Sequence, residues 1–121
     1  MYGKELMLDL HNCDPDTFTR ASIKIFLIGV CEKIDMVRGP LHFWDYDDME
    51  EEKEDAPPHL KGTSAIQFIM TSNIVIHTLD DLKAVYLNVF SCKDFVPDDV
   101  IALAKEWFHG TVAKRVTEIR V

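Results

Sequence analysis

The stretch 64–92 constrains the fold of this chain more than any other part of the sequence. Two apolar runs with high strand propensity, 65–70 and 74–76, flank the tripeptide 71–73, and a third run covers 84–90. Short runs of this composition, separated by polar turn residues, are typical of adjacent β-strands. The stretch therefore predicts three neighbouring strands, the first two of which meet at the tripeptide.

Four small reactive side chains lie in or beside these predicted strands, namely Ser64, Ser72, His77 and Cys92. Hydroxyl, imidazole and thiol groups in apolar surroundings are the groups that proteins use for nucleophilic attack and proton transfer. A structural explanation stays open, because serine is common in strands and a single histidine is often a core residue. Ser72 and His77 form the pair for which a functional role is favoured.

The composition indicates one domain spanning residues 1–121, since this length is ordinary for a single domain and 47% of the residues are hydrophobic. No apolar run approaches the roughly 20 residues needed to cross a bilayer, and the N-terminus lacks the layout of a signal peptide. The three cysteines, Cys13, Cys31 and Cys92, include no Cys-x-x-Cys pair, and an odd number argues against a disulfide framework. We therefore expect a cytoplasmic protein without a membrane partner.

Most of the net charge of −8 falls in one segment. Residues 45–55 carry eight acidic residues and one lysine, so the rest of the chain is close to neutral. The lack of a basic stripe argues against a nucleic-acid partner, whereas a cationic small molecule would be attracted. The segment 45–58 has no apolar period and ends in two prolines, which predicts an exposed acidic loop insertion. It lacks the glycine that an EF-hand calcium loop requires, and no metal site is predicted.

Apolar periodicity along the whole chain predicts the element order β-α-β-β-β-β-α-β. The further elements are a strand over 5–11, a helix over 15–34 that starts at Asp14-Pro15, a short strand over 41–44, a helix from Pro97 to Gly110 and a strand over 115–121. Hairpin-connected strands with both helices on one face make an α+β two-layer sandwich with a mainly antiparallel sheet.

The sheet face without helices is expected to carry apolar residues such as Met7, Ile74 and Ile76, depending on the register of the strands. A dimer that pairs two such faces, or a ligand cleft against them, would cover this surface. The aromatic side chains of Trp44 and Trp107 are expected to be core or interface residues.

Four motifs of this chain together resemble the prokaryotic-type S-adenosylmethionine decarboxylases, small pyruvoyl-dependent enzymes of polyamine (spermidine) biosynthesis. The motifs are Gly3-Lys4-Glu5-Leu6 with Cys13-Asp14, then Gly62-Thr63-Ser64, then Ser72-Asn73-Ile74-Val75-Ile76-His77-Thr78, and Val89-Phe90-Ser91-Cys92. Their spacing matches the family, with 13 positions from Ser64 to His77 and 20 from Ser72 to Cys92. The resemblance covers almost the whole chain.

The resemblance implies a role for each reactive residue. The Ser72 hydroxyl would attack the carbonyl carbon of Thr71, and cleavage there would leave a pyruvoyl cofactor derived from Ser72 on the downstream fragment. His77 would serve in the proton transfers, Ser64 would hydrogen-bond the strained carbonyl, and Cys92 would return a proton to the substrate after carbon dioxide leaves. Family members assemble through the sheet with active sites near the subunit boundary, which implies a homodimer.

The chain departs from the family pattern around this centre. The family has Glu, His, Trp, Pro and Phe at the positions of Thr71, Asn73, Leu79, Asp80 and Pro58, respectively. Of the substrate-binding positions, Asp81 is an acid like its family counterpart, whereas Leu79 and Asn73 differ. The implied substrate is S-adenosylmethionine or another, smaller cationic amino acid. The alternative is an unprocessed, non-catalytic homologue that acts as a binding or regulatory subunit.

Overall fold

The computed structural model describes all residues 1–121 as one antiparallel sheet with helices on one face. The elements are β1 (Gly3–His11), α1 (Arg20–Ile34), β2 (Arg38–Trp44), α2 (Glu50–Asp55), β3 (Gly62–Ile69), β4 (Ser72–Leu79), β5 (Ala84–Ser91), α3 (Pro97–Phe108) and β6 (Thr111–Arg120). The strand order is β2-β3-β4-β5-β1-β6, and every pair is antiparallel. The predicted α+β two-layer sandwich is confirmed. No helix combines the length and the apolar character needed to span a membrane.

The core lies between the sheet and the two long helices. Leu6, Leu8 and Leu10 of β1 are fully buried on the same face, as their alternation predicts. Above them, the ring of Phe26 in α1 meets that of Phe108 in α3 edge to face, with centroids 4.7 Å apart. This aromatic contact joins α1 and α3 into one layer on this face of the sheet, and neither of these two helices covers the opposite face, here called the open face.

The prediction for that open face is wrong for Ile74 and Ile76. Both side chains are fully buried in the core between the sheet and the helices, and the alternation of β4 places Val75 and His77 on the open face instead. A strand that is apolar on both faces does not reveal which face is covered, because its hydrophobic pattern has no preferred phase. Met7 alternates with the buried leucines of β1 and lies on the open face, half-buried.

The predicted helix over 15–34 is wrong at its start, since α1 begins at Arg20. The side chain of Asp14 accepts a hydrogen bond from the Asp16 amide at 3.0 Å and caps a separate 3-10 turn. The Thr19 hydroxyl then accepts from the Ser22 amide at 3.2 Å and caps α1 itself. Two capping side chains in one short segment divide what the sequence pattern shows as a continuous helix.

The predicted acidic loop 45–58 contains the helix α2, followed by a 3-10 turn that begins at Pro58. Acidic residues in the first turn of α2 suit the positive end of its dipole. The segment is also attached to the rest of the fold, because both carboxylate oxygens of Asp45 accept hydrogen bonds of 2.7 Å from Arg20. This contact holds the pKa of the Asp45 carboxyl below its ordinary value. The acidic segment therefore forms a fixed wall beside the ends of β2, β3 and β4.

Candidate active site

The turn between β3 and β4 holds the predicted cleavage site in an unusual backbone conformation. Met70 and Thr71 form the turn, and Ile69 pairs with Ser72, the first residue of β4. Thr71 has a φ of 54°, in the left-handed region that a β-branched residue rarely adopts. Such a conformation costs about 1–3 kcal/mol, so the peptide bond between Thr71 and Ser72 follows a strained residue.

Ser72 and Cys92 are brought together at this turn. The hydroxyl oxygen of Ser72 is nearly buried and accepts a hydrogen bond of 2.7 Å from the backbone amide of Cys92. The Cys92 thiol lies 3.6 Å from the carbonyl oxygen of Met70. Hydrogen bonds from the side chains of Thr71 and then Ser72 lower the pKa of Cys92 below its ordinary value. The Cys92 thiol therefore lies beside the predicted cleavage site and ionises more readily than an ordinary thiol.

The other two thiols differ from Cys92 in both position and chemistry. Cys13 and Cys31 are buried and unpaired, and neither lies in the turn. Burial raises the pKa of Cys13 to about 11 and also raises the pKa of Cys31. Their thiols are thus packing groups, and Cys92 is the reactive one of the three.

Ser64 and His77 form a second pair on the open face. They lie opposite one another on β3 and β4, and the Ser64 hydroxyl oxygen is 2.7 Å from the Nδ1 atom of His77. Nε2 of His77 makes no hydrogen bond within the chain and faces outward. In such a pair the hydroxyl can hydrogen-bond a reacting carbonyl, and the imidazole can transfer a proton through its free nitrogen.

The two pairs do not meet within one chain. Ser72 and His77 are five residues apart on β4, which separates them by roughly 16 Å along the strand. Their side chains also leave opposite faces, because Ser72 points to the helix side and His77 to the open side. The sequence spacing shows the four reactive residues as one group, and the structure divides them into Ser72 with Cys92 and Ser64 with His77.

A cavity of about 530 Å³ adjoins the Ser64–His77 pair. It lies between the acidic segment and the ends of β2, β3 and β4, and its lining includes Trp44, Tyr46, Met49, His59, Leu60 and Leu79. The indole of Trp44 is 85% exposed, and Trp44 is paired with Ser64 in the β2–β3 register. Trp44 is therefore not a core residue. The sequence feature that could have indicated its place in the cavity is its position at the end of a strand, just before the acidic segment.

The three predicted substrate-binding residues lie in different places. Leu79 lines the cavity, and Asn73 is half-buried next to Ser72 at the start of β4. Asp81 lies in the turn after β4, outside the cavity lining, where its carboxylate is 3.1 Å from the ammonium of Lys61. No group of three or more histidine, cysteine, aspartate or glutamate side chains is arranged to hold a metal ion.

Comparisons with known proteins agree with this architecture. The model of a family described as S-adenosylmethionine decarboxylase matches residues 4–120. The crystal structure of the adenosylmethionine decarboxylase from Aquifex aeolicus VF5 superposes with a TM-score of 0.67 at 14% identity, covering 95% of this chain and 85% of that chain. No curated protein sequence gives a significant match.

The fold is an α+β sandwich that carries hydroxyl and imidazole groups on β3 and β4 and a thiol directly after β5, which are the groups used in acid–base chemistry. The family match covers nearly the whole length, and the chain belongs to the S-adenosylmethionine decarboxylase family.

Proposed function

We propose that this protein is a pyruvoyl-dependent amino-acid decarboxylase that generates its own cofactor by cleavage between Thr71 and Ser72. The observation that carries the proposal is the strained turn at Thr71, followed at once by a serine hydroxyl that the Cys92 amide holds in place. Family membership supports the same reaction class. The pyruvoyl group, when formed, supplies a ketone that accepts the electron pair released as carbon dioxide leaves.

The residues at the turn fit the formation of this group. Attack of the Ser72 hydroxyl on the Thr71 carbonyl carbon replaces the peptide bond by an ester and frees the amino group of residue 72. Elimination then expels the Thr71 carboxylate, and water replaces the resulting enamine nitrogen, releasing ammonia and leaving a ketone. Strain at Thr71 favours this sequence because the left-handed backbone is released when the bond breaks. Cys92, with its lowered pKa, is the group beside the turn that can carry a proton.

The active site is completed by a second copy of the chain. The Ser64–His77 pair lies on the open face, and this face exposes the apolar side chains of Ile66 and Phe68 in the neighbouring strand. A homodimer that packs open face against open face buries these side chains and brings the Ser64–His77 pair of one protomer towards the Thr71–Ser72 turn of its partner. The imidazole of His77 then transfers protons at the partner's turn, because it cannot reach Ser72 of its own chain.

The substrate is an amino acid with a cationic side chain, either S-adenosylmethionine or a smaller compound. The cavity beside Ser64 and His77 is lined by Trp44, whose exposed indole can hold a cation against its face. The neighbouring segment 45–55 has a charge of −7, from eight acids and one lysine, and draws cations towards this region. Trp44 thus supplies the aromatic surface that Leu79 and Pro58 do not provide. The three free thiols are consistent with a reaction in the cytoplasm.

The second candidate is an unprocessed binding or regulatory subunit. It is favoured by the separation of His77 from Ser72 within one chain and by the nearly buried position of the Ser72 hydroxyl. In this case the cavity at Trp44 would bind a ligand without converting it.

Denaturing electrophoresis and intact-mass measurement of the purified protein separate the two candidates. The decarboxylase gives fragments 1–71 and 72–121, with a ketone at the new N-terminus of the second fragment. Ser72→Ala should stay uncut and fold with a loss of about 1 kcal/mol, because the Cys92 amide loses its acceptor. Ser91→Ala is the matched control, since it removes another buried strand-end hydroxyl and should not affect cleavage. A single full-length mass after long incubation would support the subunit.

A further inference from the structure

Strand β6 is an edge of the sheet that nothing covers. All ten residues Thr111–Arg120 are exposed except Val116, and the strand pairs with β1 alone. The Arg120 carbonyl accepts a hydrogen bond of 2.9 Å from the Tyr2 amide. Because peptide groups alternate in direction along a strand, those of Arg115, Thr117 and Ile119 point away from β1 to the free edge. A long row of unpaired backbone groups of this kind is a template for pairing with another strand.

Two of the charged side chains on this edge lack partners within the chain, whereas Arg115 and Arg120 are paired with Asp98 and Glu5. Lys114 and Glu118 are exposed on the open-face side of β6 and take part in no ion pair. Glu118 lies opposite another acid, Glu5 of β1, and the carboxylate of Glu5 is already bound by Arg120 at 3.2 Å. Two acids opposite one another are unfavourable in a sheet, so Glu118 gains from any cation placed on its outer side.

We propose that β6 pairs antiparallel with β6 of a second copy of this chain, with the two-fold axis at Val116. In this register Lys114 of each copy lies opposite Glu118 of the other, so two ion pairs form across the axis. The outward-pointing backbone groups of Arg115 and Thr117 then bond one another. The contact is self-complementary, as a two-fold interface requires.

Neighbouring registers are disfavoured by the same charges. An axis at Arg115 places that guanidinium opposite its own copy, and an axis at Thr117 places Lys114 opposite Arg120. Like charges directly opposite one another destabilise a strand pair. The charge pattern therefore selects Val116 as the centre.

This edge contact is independent of the proposed catalytic dimer. β6 and β2 are at opposite edges of the sheet, so β6 is remote from Trp44 and from the Ser64–His77 pair. Packing through the open face leaves the β6 edge free, and the two contacts together give a four-chain assembly. The edge pairing holds whether or not the chain cleaves itself.

Charge reversal tests the proposal by analytical ultracentrifugation. Glu118→Lys and Lys114→Glu each replace two attractions by two repulsions and should weaken the edge association about tenfold or more, while the double variant should restore it. Lys24→Glu and Glu32→Lys on α1 are matched controls, since they make the same charge changes on an exposed helix. An assembly mass unchanged in both single variants at every concentration would overturn the proposal.

Glu118→Lys also separates this interface from a folding effect. It places a cation opposite Glu5, so it should leave the melting temperature unchanged or higher while it weakens association. If the variant instead lowered the melting temperature along with the association constant, Glu118 would have a structural role within the chain, and this result would count against the proposal.

Cross-linking reports the register directly. Val116→Cys places two thiols opposite one another across the axis, and oxidised glutathione should join them in a disulfide while being reduced itself. Thr117→Cys is the matched control, because its thiol lies opposite Arg115 and should not cross-link. Rapid cross-linking of Thr117→Cys but not of Val116→Cys would reject the proposed register.

Discussion

Ser72 and His77 leave β4 on opposite faces of the sheet, although the same strand carries both. Ser72 points to the helix layer and accepts a hydrogen bond from Cys92, whereas His77 points to the open face and contacts Ser64. One chain therefore keeps the Ser72–Cys92 pair and the Ser64–His77 pair on opposite faces of its sheet.

Co-expression of two inactive variants should restore cleavage. Ser72→Ala lacks the nucleophile and His77→Ala lacks the imidazole, so each alone should stay uncut. A mixed dimer contains one complete site, and random pairing should give about a quarter of the wild-type cleavage, measured by denaturing electrophoresis.

The matched control for this experiment is a mixture of Ser64→Ala and His77→Ala. Both variants damage the same hydrogen-bonded pair, so their mixed dimer has no intact pair and should not be rescued. Normal cleavage of His77→Ala alone would remove this histidine from the reaction. No rescue of Ser72→Ala by His77→Ala would show that the site is not shared between chains.

Relief of the strain at Thr71 should stabilise the uncut chain and slow its cleavage. Glycine adopts the left-handed conformation without steric cost, so Thr71→Gly should raise the free energy of unfolding by about 1 kcal/mol, measured by urea denaturation in a Ser72→Ala background. Lys83→Gly is the control, since Lys83 has a φ of 50° in a different turn. It should change stability without changing the cleavage rate. Faster cleavage in Thr71→Gly would contradict a role for strain.

Alkylation with iodoacetamide should modify Cys92 before the other cysteines. Its pKa is lowered, so the thiolate forms at a lower pH and the midpoint of the rate–pH profile should fall below that of an ordinary free thiol. Thr71→Val removes the hydroxyl that makes the largest contribution and should move this midpoint upwards. Cys13 should react slowly even at pH 9, because it is buried and its pKa is raised to about 11. An unchanged midpoint in Thr71→Val would show that this hydroxyl does not tune the thiol.

Binding of a cationic substrate should depend on Trp44. S-adenosylmethionine and S-adenosylhomocysteine share the adenosine group and differ in the sulfonium charge, so the first should bind more tightly to the uncut Ser72→Ala protein. Trp44→Ala should weaken binding about tenfold and Trp44→Phe less, because a phenyl ring keeps part of the aromatic face. Equal affinity for the two compounds would argue against recognition of the charge.

Tryptophan fluorescence provides the measurement. The chain has two tryptophans, and Trp107 is half-buried with its indole nitrogen bonded to the Ser22 hydroxyl at 3.0 Å. Trp107→Phe therefore leaves a protein whose emission reports on Trp44 alone. Ligand quenching that persists in Trp44→Ala but vanishes in Trp107→Phe would place the ligand elsewhere.

The sequence predicted the layers of the fold because the signals involved are local. Leu6, Leu8 and Leu10 recur at every second position, and Pro97 marks the start of α3, so strand and helix types follow from periodicity and capping. The start of α1 and the helix α2 were missed, since each depends on a choice between competing local hydrogen bonds and on the tertiary contact of Arg20 with Asp45.

The candidate site was only partly predictable for a geometric reason. The resemblance singled out Ser64, Ser72, His77 and Cys92, and the favoured pair was Ser72 with His77. The structure instead joins Ser64 to His77 and Ser72 to Cys92. Ser72 and His77 are five positions apart, so they leave opposite faces if one strand carries both. The sequence placed Ser72 in the turn 71–73 and not on β4, and for this reason the division into two pairs was not predicted. Trp44 was missed because the cavity that it lines is built by the acidic segment, which the sequence alone indicated to be a loop.

The strand order gives a cut after residue 71 an unexpected outcome. The upstream fragment, residues 1–71, would contain β1, β2 and β3, and the downstream fragment, residues 72–121, would contain β4, β5 and β6. In the sheet, however, β1 lies between β5 and β6. The two polypeptides would be interlaced through their shared sheet and could not drift apart without melting it. A cleaved molecule would therefore sediment and migrate as an intact particle in native buffers. The two new chain ends would stay close to one another for as long as the sheet remains folded.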